Sequence, residues 1–242
     1  MKDDLVLLVV GSGGREFAVA KKLKESPHVK TVYCAPGNVG MQTIGVETVP
    51  IEETDLDGLL DFAQSKHVDW TFVGPENVLC AGITDKFEKA GQKIFGPNQR
   101  AAQLEGSKDY ALHFMSKYNI PTARHETFTS AETCIAGLKD FDFPVVIKED
   151  GLAGGKGVTI AQNQDVAEET IREMFAGGQT AVVLEECLVG PEYSMFVVVS
   201  EDQFTILPMA QDHKRVGDGD KGPNTGGMGS YSPLPQLKKE DR

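Results

Sequence analysis

The chain has 242 residues, 24 of them Lys or Arg and 36 Asp or Glu, for a formal net charge of −12, and 40% of its residues are hydrophobic. At roughly 100–200 residues per domain, that length suits one large domain or two modest ones, with core enough to need no disulfide or metal staple. The acidic balance argues against non-specific nucleic-acid binding, which rests on Lys and Arg against phosphate, but leaves room for a small phosphorylated ligand held by one loop.

Leu5–Val10 is a continuous apolar run of strand length. It is too short for a signal peptide and runs straight into Gly11-Ser12-Gly13-Gly14, with no cleavage site between. Glu16–Glu25 carries helical patterning. Thr31–Ala35 reads as a second strand, ended by Pro36-Gly37-Asn38, and Val46–Ile51 as a weaker third. Leu56–His67 reads as a helix with Leu59, Leu60, Phe62 and Ala63 along one side. Trp70–Val73 is a strand closed by Gly74-Pro75, Val78–Ala90 a single helix, and Lys93–Phe95 a strand closed by Gly96-Pro97. Strands alternating with helices imply βαβ units and a parallel sheet, and apolar runs without alternation suit strands covered on both faces.

The pattern changes after about residue 105. Ser107–Tyr118 reads as a helix capped by Ser107, with a stripe of Tyr110, Ala111, Phe114 and Met115, stopped by Pro121. Beyond it, Pro144–Lys148, Val158–Ala161, Val182–Cys187, Ser194–Ser200 and Phe204–Met209 read as strands, interrupted by helices over Ala131–Leu138 and Val166–Phe175. Strands that follow one another through short turns mark an α+β unit, which places a domain boundary near residue 120. No run approaches the roughly 20 apolar residues of a membrane span. The four cysteines (Cys34, Cys80, Cys134, Cys187) form no close pair, so they read as buried free thiols in a reducing compartment. The chain thus reads as soluble and cytoplasmic.

Three glycine-rich segments hold the chemical interest. Gly11–Glu16 follows a strand and opens a helix, a setting in which backbone N–H groups can hold phosphate. A dinucleotide fingerprint would need glycine where Glu16 stands and an acid at the end of the second strand, and neither is present; a tight turn without a ligand stays open. Gly151–Gly157 fails as a P-loop, because the spacing to Lys156 is one short and Gly157 replaces the Ser or Thr. A hairpin closing over a triphosphate, or a plain glycine-rich hairpin, remain as readings. Lys148 ends a buried apolar strand just before it, an expensive place for an ammonium unless it meets an anion. Gln211–Asp218 alternates charges and leads into Gly222–Gly229, a long glycine-dense loop of the kind that serves a site or forms a linker. Glu185-Glu186 follows an apolar strand and reads either as a solvated turn or as backbone offered to an adenine edge. The five histidines lack metal-ligand spacing, and no Gly-x-Ser-x-Gly elbow supports covalent hydrolysis.

The order of Gly11–Glu16, Pro36-Gly37-Asn38, Val73–Glu76, Leu104–Lys108, Val146–Lys148 with Asp150–Gly157, and Gln211–Gly229 closely resembles the phosphoribosylamine–glycine ligases (glycinamide ribonucleotide synthetases) of purine biosynthesis. The likeness runs from residue 1 to about residue 235. It is most specific in Gln-Asp-His-Lys-Arg-Val-Gly-Asp followed by Gly-Pro-Asn-Thr-Gly-Gly-Met-Gly. It implies a Rossmann-like domain over 1–104 and a partial ATP-grasp domain over 105–242. It also implies ATP-dependent ligation of glycine to 5-phosphoribosylamine through a glycyl phosphate, with Mg2+ or Mn2+.

Carried over residue by residue, the resemblance puts Gly13, Gly14, Arg15, Glu16, Asn38 and Glu76 on the phosphoribosylamine side. Lys108 and Lys148 match lysines on the ATP phosphates, and Gly154, Gly155, Lys156 and Gly157 the loop above them. Glu185, Glu186 and Leu188 match the adenine hinge and Glu192 the acid on the ribose. Asp212 and Lys214 fall where glycine and phosphoribosylamine are held and are the implied catalytic residues, with Asn224, Thr225 and Gly226 nearby. Phe17 departs from the histidine of many members. The family's magnesium ligands, a Glu and an Asn, lie past the position of Arg242, so the resemblance implies a C-terminally truncated chain, inactive alone, with its metal ligands unknown and its state, monomer or dimer, open. A non-catalytic nucleotide- or phosphosugar-binding module and another ATP-grasp carboxylate–amine ligase are the alternatives; neither nucleic acid nor membrane is expected as a partner.

Overall fold

A computed structural model describes residues 3–152, 157–219, 221–225 and 229–237. It divides into two compact units, one ending at Ile120 and one beginning at Pro121.

The first unit runs β1 (Leu5–Gly11), α1 (Gly14–Lys24), β2 (Val29–Pro36), α2 (Val39–Gln42), β3 (Glu47–Thr48), α3 (Leu56–Ser65), β4 (Trp70–Val73), α4 (Glu76–Cys80), α5 (Ile83–Lys89), β5 (Ile94–Phe95), α6 (Gln99–Gly106) and α7 (Lys108–Lys117). Its five strands lie in the order β3-β2-β1-β4-β5, and every pairing is parallel. Because β1 is central, its residues from Leu7 to Gly11 are all buried. Leu8 and Val10 pack with Leu59, Ala63, Val78, Ile83 and Phe87 on one face. Val9 packs with Ala20, Val32, Cys34 and Met41 on the other. A strand covered on both sides needs the unbroken apolar run that the sequence shows.

Three local expectations are corrected here. The single helix expected over Val78–Ala90 is two, α4 and α5, because Gly82 at φ +88° breaks the run between them. Helix α6 and the short α2 were not anticipated; each is started by an asparagine side chain, Asn98 accepting from the Ala101 N–H and Asn38 from the Gly40 N–H. In α7 the fully buried residue is Leu112, beside the expected Ala111 and Met115, which are half-buried like Phe114, while Tyr110 of the expected stripe is exposed.

The second unit contains β6 (His125–Phe128), α8 (Ala131–Gly137) with a 3-10 turn behind it, β7 (Val145–Glu149), β8 (Val158–Ala161), α9 (Gln164–Ala176), β9 (Val182–Glu186), β10 (Val197–Ser200), β11 (Gln203–Ile206), β12 (Gln211–Asp212), β13 (Arg215–Gly217), β14 (Lys221–Asn224) and β15 (Ser230–Tyr231). Four strands form an antiparallel sheet in the order β6-β9-β7-β8. Val145, Ile147, Val182 and Leu184 pack on its helical side against Cys134, Ala167 and Ile171. The alternate residues Val146, Lys148, Val183 and Glu185 therefore share the opposite face. The charged segment after Gln211 is built as short pairs, β12 with β15 and β13 with β14. Strand β6 was missing from the sequence expectation, its four residues being too few and too polar to stand out. Among the described residues no helix is long and apolar enough to cross a membrane.

Candidate functional site

In the first unit the chain moves outward from β1 to β2 and β3, then returns to place β4 against β1. Such a reversal opens a crevice at the carboxyl ends of the two strands. Two of the singled-out segments leave β1 and β4 there, Gly11–Glu16 and Gly74–Glu76. Glu16, the third residue of α1, turns back so that its Oε2 accepts from the Gly13 N–H at 2.7 Å, half of a capping box. It is only 5% exposed. A Cβ at Gly74 would collide with the Glu16 carboxylate, so a glycine is needed where the second loop passes over it.

Arg15 joins the loops from outside. Its Nη1 donates to the Gly74 carbonyl at 2.5 Å and lies 2.9 Å from Glu76 Oε1. The third segment is tied in by Asn38, whose Nδ2 donates to the Ser12 carbonyl at 2.8 Å while its Oδ1 accepts from the Gly40 N–H at 2.9 Å. The Gly37 N–H and the Cys34 thiol both donate to the Gly11 carbonyl. Burial pushes the Cys34 thiol up to about 12, with the Glu16 charge adding to the shift, so it is an inert packing group. Gly13, Gly14, Arg15, Glu16, Asn38 and Glu76 are thus gathered at one crevice. The sequence reading missed Gly74 as the piece that makes room for Glu16; its signal was the glycine directly after an apolar strand.

Lys108 is also in this unit, the first residue of α7 behind its cap Ser107.

In the second unit the anion demanded by Lys148 is supplied by the chain itself. Register places Lys148 opposite Val183 and Glu185 opposite Val146, so the two charges are diagonal neighbours on one face. Lys148 Nζ donates to Glu185 Oε2 at 2.5 Å, with side-chain exposures of 27% and 9%. Glu185 is therefore a buried strand residue, not part of a solvated turn. Glu186 points the other way and accepts from the Arg124 N–H at 2.9 Å. Leu188 lies past the end of β9 and is exposed.

A second charged group forms around Lys214. Its Nζ lies 3.1 Å from Glu192 Oε1 and 3.1 Å from Asp212 Oδ2, and Gln211 Nε2 donates to the Glu192 carbonyl at 2.7 Å. Burial would lower the Lys214 ammonium, but hydrogen bonds and charge from Glu192 and Asp212 outweigh it and hold the group above the ordinary lysine value. Thr225 donates its hydroxyl to the His213 carbonyl at 2.8 Å, which brings the start of the glycine-dense loop back beside Lys214. Gly157 is buried, and its carbonyl accepts from the Glu149 N–H at 2.9 Å. Gly154, Gly155, Lys156, Gly226 and the Asn224 side chain lie outside the described residues. Among the described residues no group of three His, Cys, Asp or Glu side chains is placed to hold a metal ion.

Comparison with known proteins gives this arrangement a family context. Residues 5–105 match the family model for the phosphoribosylglycinamide synthetase N domain, and residues 106–242 that for the phosphoribosylglycinamide synthetase ATP-grasp (A) domain. A phosphoribosylamine–glycine ligase of Lactococcus lactis is 52% identical over 97% of this chain and 57% of its own length. One from Streptococcus suis is 52% identical over 96% of the chain and 56% of its own length. The chain thus spans somewhat more than half the length of the curated relatives it matches. The crystal structure of the Thermotoga maritima phosphoribosylamine–glycine ligase superposes with a TM-score of 0.77 at 36% identity, over 95% of this chain and 56% of that one. A Staphylococcus aureus N5-carboxyaminoimidazole synthetase complexed with ADP, at 15% identity over 88% of this chain and 56% of that one, shares the fold with a TM-score of 0.67.

Proposed function

The chain belongs to the phosphoribosylglycinamide synthetase family, and from that premise we propose that it carries the phosphosugar side and much of the nucleotide side of an ATP-dependent ligase joining glycine to 5-phosphoribosylamine. The products are glycinamide ribonucleotide, ADP and phosphate: ATP phosphorylates the glycine carboxylate, and the amine of phosphoribosylamine displaces that phosphate. The observation that carries the reading is the meeting of Gly11–Glu16 and Gly74–Glu76 at one crevice through Arg15 and Glu16.

On this reading the domains divide at 104/105, with phosphoribosylamine on the first and ATP on the second. Gly13, Gly14 and Asn38 line the phosphoribosylamine crevice, Arg15 and Glu76 present a held guanidinium and carboxylate to it, and Glu16 keeps the loop in shape from inside. Lys108, Lys148 and Lys156 meet the ATP phosphates, with Gly154, Gly155 and Gly157 allowing close backbone approach. Glu185, Glu186 and Leu188 form the adenine edge and Glu192 takes the ribose. Lys214 stays protonated beside Asp212, so it suits a carboxylate or phosphate ligand and not the role of a base. Asn224, Thr225 and Gly226 flank the same place. Collecting fixed positive groups around a transferring phosphoryl, and keeping water from an acyl phosphate, is the chemical task of such a site. The family implies a divalent cation, which would neutralise phosphate charge when bound.

The test is binding and turnover by the 242-residue chain. Ribose 5-phosphate is expected to bind and to be lost in Arg15→Ala. ADP is expected to bind and to be lost in Lys148→Ala. ADP release from ATP that requires both glycine and freshly made phosphoribosylamine supports the full reaction. Binding of neither ligand overturns the reading.

A further inference from the structure

One residue of the first unit has no part in the roles given above yet touches the loop that matters. Phe17 follows Glu16 on α1 and packs from the edge of the cluster formed by Val9, Ala20, Val32, Cys34, Met41 and Val46. Its ring lies against Gly40, the second residue of α2. A Cβ built on Gly40 would stand 3.3 Å from Phe17 Cε2 and 3.1 Å from Asn38 Oδ1. Gly40 therefore sits closely between the Phe17 ring and the Asn38 amide oxygen, and a methyl group there would make both give by a few tenths of an ångström. Its N–H donates to that same Asn38 oxygen at 2.9 Å, and the amide's other end donates to the Ser12 carbonyl at 2.8 Å. The ring thus lies beside Gly40, the Gly40 N–H holds one end of the Asn38 amide, and the other end of that amide ties the third segment to Gly11–Glu16.

We propose that Phe17 is a positioning residue for the phosphosugar crevice, acting through Gly40 to hold the Asn38 side chain against the Ser12 carbonyl. The inference rests on the assignment of that crevice to phosphoribosylamine. Its physical basis is preorganisation: a side chain already fixed in its binding orientation loses little freedom when the ligand arrives. A leucine at position 17 keeps an apolar side chain against the same cluster but lacks the ring carbons that lie beside Gly40.

The experiment uses the 242-residue chain with ribose 5-phosphate as the probe, and follows the Asn38 side-chain amide by NMR without ligand. Phe17→Leu is expected to weaken ribose 5-phosphate binding by about 3- to 10-fold, the cost of ordering one polar side chain. It should also speed hydrogen exchange of the Asn38 Nδ2 protons, with little change in melting temperature. Gly40→Ala should weaken binding as well, by pushing on the ring and the amide. The double variant Phe17→Leu/Gly40→Ala should lose less than the product of the two single losses, because the smaller side chain makes room for the new methyl. Unchanged Asn38 exchange and affinity in Phe17→Leu overturns the proposal, as does a pair of losses that simply multiply. If the unsubstituted chain does not bind ribose 5-phosphate, the crevice assignment fails, and the Asn38 exchange rates alone still decide whether Phe17 positions that amide.

Discussion

Two strand regions built from nearly the same residues behave in opposite ways. Leu7-Leu8-Val9-Val10 in β1 is buried on both faces, with Leu8, Val9 and Val10 at 0% exposure. Phe196-Val197-Val198-Val199, leading into and along β10, is exposed throughout, as are Phe204 and Ile206 in β11, with which it pairs as an isolated two-stranded sheet. Local preference makes a strand in both places. Among the described residues only the first is flanked by partners on each side and covered by helices on each face. The comparison teaches that apolar content predicts an extended backbone, whereas the contribution to stability depends on what covers it. A two-stranded hairpin gains little by itself.

The sharpest way to break that comparison is a pair of truncations. Leu8→Ala should cost about 2–5 kcal/mol through lost burial and the cavity left behind. Phe204→Ser, at a site 68% exposed, should stay within about 0.5 kcal/mol. Urea unfolding of both variants checks this, and equal losses would mean that the hairpin is part of the core in solution.

A smaller effect separates charge from apolar covering. Lys148→Ala leaves the Glu185 carboxylate buried without its partner and should destabilise the second unit by about 1–3 kcal/mol, less than for a fully buried pair because the lysine keeps some contact with water. The double change Lys148→Met/Glu185→Leu should recover most of that loss, since the demand for pairing disappears with both charges. Chemical denaturation of the single and double variants decides it. A double variant as unstable as the single would show that the pair does more than neutralise itself.

The mildest probe is alkaline pH. Burial raises both Cys34 and Cys134 from 9.0 to about 12. The unfolded chain therefore releases these protons first. The stability they contribute is fully present below pH 9 and is lost as pH rises from 9 toward 12. Each thiol steepens the decline by up to about 1.4 kcal/mol per pH unit. Replacing Cys34 and Cys134 by alanine should flatten the slope of stability against pH over that range, whatever the substitutions cost at neutral pH. An unchanged slope would mean that neither thiol is held in the neutral form.

Much of the crevice was legible in the sequence because its parts are local. An apolar run followed by Gly11–Gly14 and a helix, or by Gly74-Pro75-Glu76, encodes strand, turn and helix start within a dozen residues. The resemblance then joined those pieces in one order. What stayed hidden depends on partners far along the chain. Asn98 and Asn38 look like ordinary loop residues until their side chains are seen to start helices. Val78–Ala90 has helical content throughout and gives no hint that Gly82 takes a left-handed conformation. In α7 only the neighbouring elements decide that Leu112 is the most buried residue and that Tyr110 stays exposed.

The sequence by itself determined the alternation of strands and helices, the parallel character of the first sheet, the change of architecture in the second half and the glycine-rich turns at the ends of β1 and β4. All of these follow from residue periodicity and backbone freedom over short stretches. Tertiary structure alone decided that the anion beside Lys148 is Glu185, 37 residues away, that Glu16 faces inward under Gly74, that Lys214 bridges Glu192 and Asp212, and that one valine-rich strand forms a core while another lies bare. Each of these depends on strand register or loop packing, and a partner brought close by the fold leaves no periodic trace in the chain that supplies it.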